Sequence, residues 1–169
     1  MRRALVLCAV LGLGGCGFHP LYASGPSGGA SGEFRSIEVE PVSDLTVANT
    51  GYDLRNEMID LLDAGQAPVA YQLKLTFNVT TQGIALENNA DITRYNDTLT
   101  VNYSLVDAAT SKELTKGIES GLSAYNVVQS PYATLEGQQD ADRRAAEDIA
   151  ERIRLDLGLY FSRRRAAAQ

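Results

Sequence analysis

Two runs in the middle of this chain alternate apolar and polar residues without a break, and little can be built from them except a half-buried sheet. Tyr71, Leu73, Leu75, Phe77 and Val79 alternate with Gln72, Lys74, Thr76, Asn78 and Thr80. Leu99, Val101, Tyr103 and Leu105 alternate with Thr98, Thr100, Asn102 and Ser104. Successive side chains of a strand point to opposite faces, so each run predicts one apolar face that must be covered and one polar face that stays wet. Between them, Leu86 to Asp91 with its Glu87-Asn88-Asn89 centre reads as a turn, which makes the pair a hairpin.

The flanking sequence supplies the cover. Ser36 to Glu40 alternates and is stopped by Pro41, which predicts a first strand at an edge. Thr50-Gly51-Tyr52-Asp53 has the form of a capping box, and Leu54, Met58, Leu61 and Leu62 follow at helical spacing. A helix is therefore expected from Gly51 to Ala64, closed by Gly65, with Pro68 just beyond. Asp107 to Lys112 is the next turn and Leu114 to Val127 a fourth strand, in which Gly117 and Gly121 mark expected bulges. After a loop at Ser130-Pro131-Tyr132, a last helix carries Ala145, Ala146, Ile149, Ala150, Ile153, Leu157 and Tyr160 on one stripe. Its other face offers Arg143/Glu147, Arg144/Asp148 and Asp148/Arg152 as i,i+4 pairs. The expected fold is α+β, a two-layer sandwich in which a four-stranded sheet carries two helices on one face, in the order β-α-β-β-β-α.

The chain opens on Met1-Arg2-Arg3, an apolar run from Ala4 to Leu13, and then Gly14-Gly15-Cys16. A basic start, about ten apolar residues and small residues before a cysteine are the parts of a bacterial lipoprotein export signal, and the run is too short to span a bilayer. Cleavage before Cys16 would put lipid on its thiol, and the several acyl chains of such an anchor hold a protein stably to a membrane. The competing reading is an ordinary secretory signal with Cys16 as a chance thiol. Asp directly after the lipidated cysteine would mark inner-membrane retention in double-membrane bacteria; Gly17 stands there, which favours the outer membrane. The expected divisions are a signal at 1–15, the lipidated cysteine with a Gly/Ser tether at 16–32, one domain at 33–162 and a basic, disordered tail at 163–169 containing Arg163-Arg164-Arg165.

Cys8 would leave with the signal, so no disulfide is expected and stability must come from packing. Loss of Arg2 and Arg3 takes the formal charge from −6 to −8, against any general attraction to nucleic acid or to an anionic bilayer. The single histidine, His19, lies beside the expected lipid site and before the tether, where nothing can hold it rigidly. Neither a Cys/His pair, nor a nucleophile elbow, nor a phosphate loop, nor metal-ligand spacing occurs, so no enzyme and no cofactor is expected.

What remains is binding. The polar sheet face, with Thr76, Asn78, Thr100 and Asn102 at its centre, is rich in donors and acceptors and poor in charge. It suits sugars or the water-filled interior of a membrane barrel, and would equally make an ordinary solvated surface. Lys74, Arg94, Lys112 and Lys116 come from strands and turns that would be neighbours, where together they could meet phosphate; scattered solubilising charge is the plainer reading.

Gly14-Gly15-Cys16-Gly17-Phe18-His19-Pro20-Leu21-Tyr22, the order of elements, and Ser130-Pro131-Tyr132-Ala133 before an Ala/Arg/Glu helix together resemble the LPS-assembly lipoprotein (LptE) family. The resemblance implies an outer-membrane lipoprotein facing the periplasm that pairs with the large β-barrel LPS-assembly protein, sits partly inside it as a plug, assists its assembly and can bind lipopolysaccharide directly. Family members that bind LPS are expected to place basic residues near the turn between the long strands and near the loop before the last helix. Here those places read Glu87-Asn88-Asn89 and Leu135-Glu136-Gly137-Gln138, without lysine or arginine, so the plug is the inference carried forward. The rival readings are an accessory lipoprotein that binds a lipid or small ligand for another envelope transport system, and a peptidoglycan-binding protein.

Overall fold

A computed structural model describes residues 31–42, 48–85 and 92–168. A single helical turn, Ser31–Phe34, leads into β1 (Ile37–Val39), α1 (Ala48–Leu62), β2 (Tyr71–Ala85), β3 (Ile92–Asp107), β4 (Glu113–Asn126) and α2 (Pro131–Ala167). The strands form one sheet in the order β1-β2-β3-β4. β1 runs parallel to β2, and β2, β3 and β4 are antiparallel neighbours. The two helices lie on one face of this sheet, as the alternation predicts.

Parity fixes which side chains are inside. Leu73, Phe77, Leu99, Val101, Tyr103 and Leu105 from the strands are buried against Leu54, Met58 and Leu62 of α1 and Ala146, Ile149, Ala150, Ile153, Leu157 and Phe161 of α2. Each large side chain so buried contributes about 1.5–3 kcal/mol, and this shared core is what holds the layers together. At one end Phe161 meets Phe34, Tyr71 and Tyr160 at ring-centroid distances of 6.1, 5.2 and 5.2 Å.

Several boundaries differ from the sequence reading, each for a local reason. α1 begins two residues before Thr50, so Thr50 is not its cap, and it ends at Leu62 where Asp63 (φ 48°) and then Gly65 (φ 75°) turn left-handed. β2 and β3 run on beyond Thr80 and before Thr98, where alternation has faded and the ladder from Thr81↔Asp97 to Ile84↔Arg94 holds the hairpin. The expected turn at Leu86 to Asp91 lies outside the described residues. α2 begins where a loop was expected: Ser130 is its N-cap, its hydroxyl accepting from the Ala133 N–H at 3.4 Å, and Pro131 opens the first turn. At the other end the helix continues through Arg163, Arg164 and Arg165, where a tail was expected. Arg165 there pairs with Glu33 at 3.8 Å, and Arg164 donates to the Tyr71 hydroxyl at 3.2 Å. Arg152–Asp148 forms as expected at 2.7 Å, but Arg143 and Arg144 both turn back to Asp140 rather than forward.

Gly117 and Gly121 are not bulges. The β3–β4 register is unbroken through Tyr103↔Gly117 and Leu99↔Gly121, and its one irregularity falls between Leu105 and Val106. Both glycines face the core where something comes close: a Cβ on Gly117 would lie 2.5 Å from the Tyr103 hydroxyl, and one on Gly121 would lie 3.1 Å from the Ala145 carbonyl of α2. Over Gly117, Tyr103 reaches α2 and donates to Asp156 Oδ2 at 2.8 Å. Burial, then that bond, then the charges of Asp156 and Glu119 push the Tyr103 phenol up from its ordinary value. A proton held more tightly when folded gives stability that is intact below the unfolded pKa of about 10 and falls as pH rises past it. Tyr103→Phe should make that alkaline fall shallower while costing about 1 kcal/mol at neutral pH, measured by urea unfolding across pH 7–11.

β4 is an edge strand, and α2 guards it. Arg152 donates to the Ser120 carbonyl at 2.6 Å and approaches Glu119 at 3.8 Å, occupying part of an edge that would otherwise be open to strand addition.

Candidate functional site

The uncovered face of the sheet carries the residues that parity puts there. Thr76 pairs with Asn102, Asn78 with Thr100 and Lys74 with Ser104, and Ser104 in turn faces Lys116 on β4. Lys74, Thr76, Asn102, Ser104, Lys116 and Ile118 surround an open hollow of about 410 Å³. Each lysine already has a carboxylate, Lys74 with Glu40 at 3.5 Å and Lys116 with Glu113 at 2.9 Å. The hollow therefore presents a near-neutral, hydrogen-bonding surface instead of a bare cationic one. On β4 this face also exposes Ile118 and Leu122, 67% and 64% accessible, an apolar strip that alternation in β2 and β3 gave no reason to expect.

The four basic candidates are not all neighbours. Lys74 and Lys116 share the hollow, but Arg94 lies on the same face ten residues along β3 from Ser104, about 33 Å away. There it donates to the side-chain oxygens of Asn96 and Asn126 at 3.3 Å each. Lys112 lies outside the hollow, its carbonyl closing the β3–β4 turn by accepting from the Asp107 N–H at 2.9 Å. Cys16 lies outside the described residues.

A second polar group was missed by sequence reasoning. Asp97 sits on the core face of β3, 4% exposed, where parity calls for an apolar residue. Its cross-strand partner is Ser123, 1% exposed, and above them stands Asp142 of α2. Burial pushes the Asp142 carboxyl up from its ordinary value; the nearby Ser123 hydroxyl opposes this, and the carboxylates of Asp97 and Asp53 add to it. Tyr125, stacked on Tyr95 at 5.6 Å, is likewise pushed up, by burial and then by Asp97 and Asp142. The break of parity at Asp97 was the one signal the sequence offered.

Among the described residues no group of three or more histidine, cysteine or acidic side chains is placed to hold a metal ion, and no helix is long and apolar enough to cross a membrane.

Residues 34–157 match the family model described as LptE, lipopolysaccharide-assembly. An uncharacterized protein of Rickettsia prowazekii (strain Madrid E) is 28% identical over 160 residues, spanning 95% of this chain and 96% of its own length. Among solved structures, a provisionally assigned lipoprotein from Caulobacter crescentus superposes with a TM-score of 0.65 at 28% identity, covering 79% of this chain and 96% of that one. Rare lipoprotein B from Shewanella oneidensis superposes with a TM-score of 0.55 at 13% identity, over 76% of this chain and 96% of that one, a likeness of fold.

Proposed function

The chain belongs to the LptE, lipopolysaccharide-assembly, family, and from that premise we propose that it pairs with the β-barrel LPS-assembly protein of the outer membrane and occupies part of its lumen. The family is one of non-catalytic outer-membrane lipoproteins, lipid-anchored and facing the periplasm, and this chain is one of them. In this reading Cys16 carries the lipid, the tether runs only to residue 30 because Ser31 and Gly32 already belong to the helical turn that packs on the domain, and the domain is the plug.

The observation that supports the plug is the uncovered sheet face. A surface of threonine, asparagine and glutamate-paired lysine loses little on leaving water if it meets another hydrogen-bonding surface, and the inside of a large outer-membrane barrel is polar. Thr76, Asn78, Thr100 and Asn102 would make the central contacts, with Lys74 and Lys116 beside them. Because both lysines are already paired, this hollow suits the neutral and mixed-charge wall of a barrel better than a phosphate group. Arg94 and Lys112, at separate places, would contribute at the margins.

The test is photo-crosslinking from positions 78 and 100 in intact cells, followed by affinity purification of the tagged protein from detergent-solubilised outer membranes. Recovery of the LPS-assembly barrel at about one to one, crosslinked from both positions, is the expected result. Recovery of an inner-membrane transporter, or a barrel that assembles and inserts LPS normally after depletion of this protein, would overturn the reading.

A further inference from the structure

The cluster of Asp97, Asp142 and Asp53 lies where the apolar core stops, beyond Leu99 and beside the first turns of α1. Its charge is costly as it stands. Asp97 is more than nine-tenths buried, and its Oδ1 has no hydrogen-bond partner. None of the ion pairs formed among the described residues reaches Asp53, Asp97 or Asp142. The nearby arginines, Arg143 and Arg144, are turned to Asp140. The α1 N-terminus brings partial positive charge, yet Asp142 is still displaced toward its neutral form. A carboxylate left buried and unpaired costs several kcal/mol in general, so a folded domain that keeps one has a use for it or a partner to meet it.

The cluster opens to solvent. Asn49, Thr50, Tyr52, Asp53, Gln139 and Asp142 line a groove of about 550 Å³ between the start of α1 and α2. Asp97 lies beneath it on the core face of β3: its charge acts on Asp142, a groove residue, and on Tyr125, and the hydroxyl of its cross-strand neighbour Ser123, 1% exposed, likewise has no hydrogen-bond partner. All of these groups are oxygen donors, the chemistry of a cation site. The acidic groups do not converge closely enough for a metal ion. A planar guanidinium has five N–H donors spread over several ångströms and can bridge carboxylates that a single ion cannot.

We propose that this groove is a socket for an arginine side chain of a partner protein, whose guanidinium enters between Asp53 and Asp142 and whose positive charge offsets that of Asp97 buried beneath them. The socket lies on the helical layer, opposite the polar sheet face, and does not depend on what that face meets.

The test uses the full mature chain, in detergent, with N-acetyl-arginine amide as the probe and the uncharged citrulline analogue as control. Amide signals of residues 97, 121–125 and 139–143 should shift saturably with arginine amide, with a Kd of about 1 mM as fits one unassisted side chain, and should stay put with citrulline. Asp97→Asn should weaken binding at least tenfold while raising Tm by about 4 °C or more, because it removes a buried unpaired charge without changing shape. Asp142→Asn should weaken binding as well and serves as a second variant. Equal shifts with citrulline, unchanged binding in both variants, or no saturation would overturn the socket. So would saturation of the same signals by calcium chloride at lower concentration, which would make the site one for an inorganic ion. A lower Tm for Asp97→Asn would make Asp97 a structural support and overturn the proposal equally.

Discussion

Phe161→Ala is expected to remove about 3–5 kcal/mol of stability, a large share of the 5–15 kcal/mol that a domain of this size has in total. The ring is 1% exposed and is the hub of an aromatic group in which Phe34, Tyr71 and Tyr160 come from three different parts of the chain. Truncation leaves a cavity that rigid neighbours cannot close, since Tyr71 is fixed by the β1 and β3 ladders and Tyr160 by the helix itself. The helical turn at Ser31–Phe34 would lose its packing partner, so faster proteolysis after Arg35 should accompany the lower urea midpoint. Leu155→Ala, on the exposed side of the same helix at 45% accessibility, should change stability by about 0.5 kcal/mol or less. Equal losses in the two variants would refute the assignment of the core.

Gly117→Val should cost about 3 kcal/mol, although it adds an apolar residue to a strand that prefers β-branched side chains. The added Cβ would lie 2.5 Å from the Tyr103 hydroxyl and 2.6 Å from its ring carbon. Tyr103 is buried and bonded to Asp156, so it yields only by giving up that bond and part of its packing. Because the clash is with one side chain, it should be partly relieved by shortening that side chain. Gly117→Val combined with Tyr103→Leu is expected to be more stable than the sum of the two single losses, by about 1 kcal/mol or more in a double-mutant cycle. Strict additivity would mean that the glycine serves the backbone and not the tyrosine.

The sequence made the middle of this fold legible and its margins obscure, for one physical reason. Where one face is buried, as from Tyr71 to Phe77 and from Leu99 to Leu105, apolar parity records the environment directly. Where the ladder alone holds a strand, as at Thr81 and Gln82, any residue able to extend will serve and no pattern is left to find. The first turns of α2 were hidden in the same way: Pro131 to Gly137 is largely exposed, so no apolar stripe marks the start and only the Ser130-Pro131 cap does. Gly117 and Gly121 were visible as anomalies but misread, because a close approach by another element cannot be told from a bulge in one dimension. The polar sheet face followed from parity. The Asp97–Asp142 cluster joins positions 45 residues apart through a packing that only the folded helix layer creates.

The placement of α2 has a consequence for how the chain comes to be folded. β2, β3 and β4 are a meander of neighbours in sequence and can pair as soon as they exist, yet nothing before residue 131 covers the β4 side of their apolar face. A chain made from its N-terminus thus holds an open, sticky sheet until α2 arrives, and Ile149, Ile153, Leu157 and Phe161 close it nearly all at once. The helix that follows the whole sheet is the latch, so a chain broken off before Ile149 has no partly finished stable form to fall back on and is marked at once for aggregation or degradation.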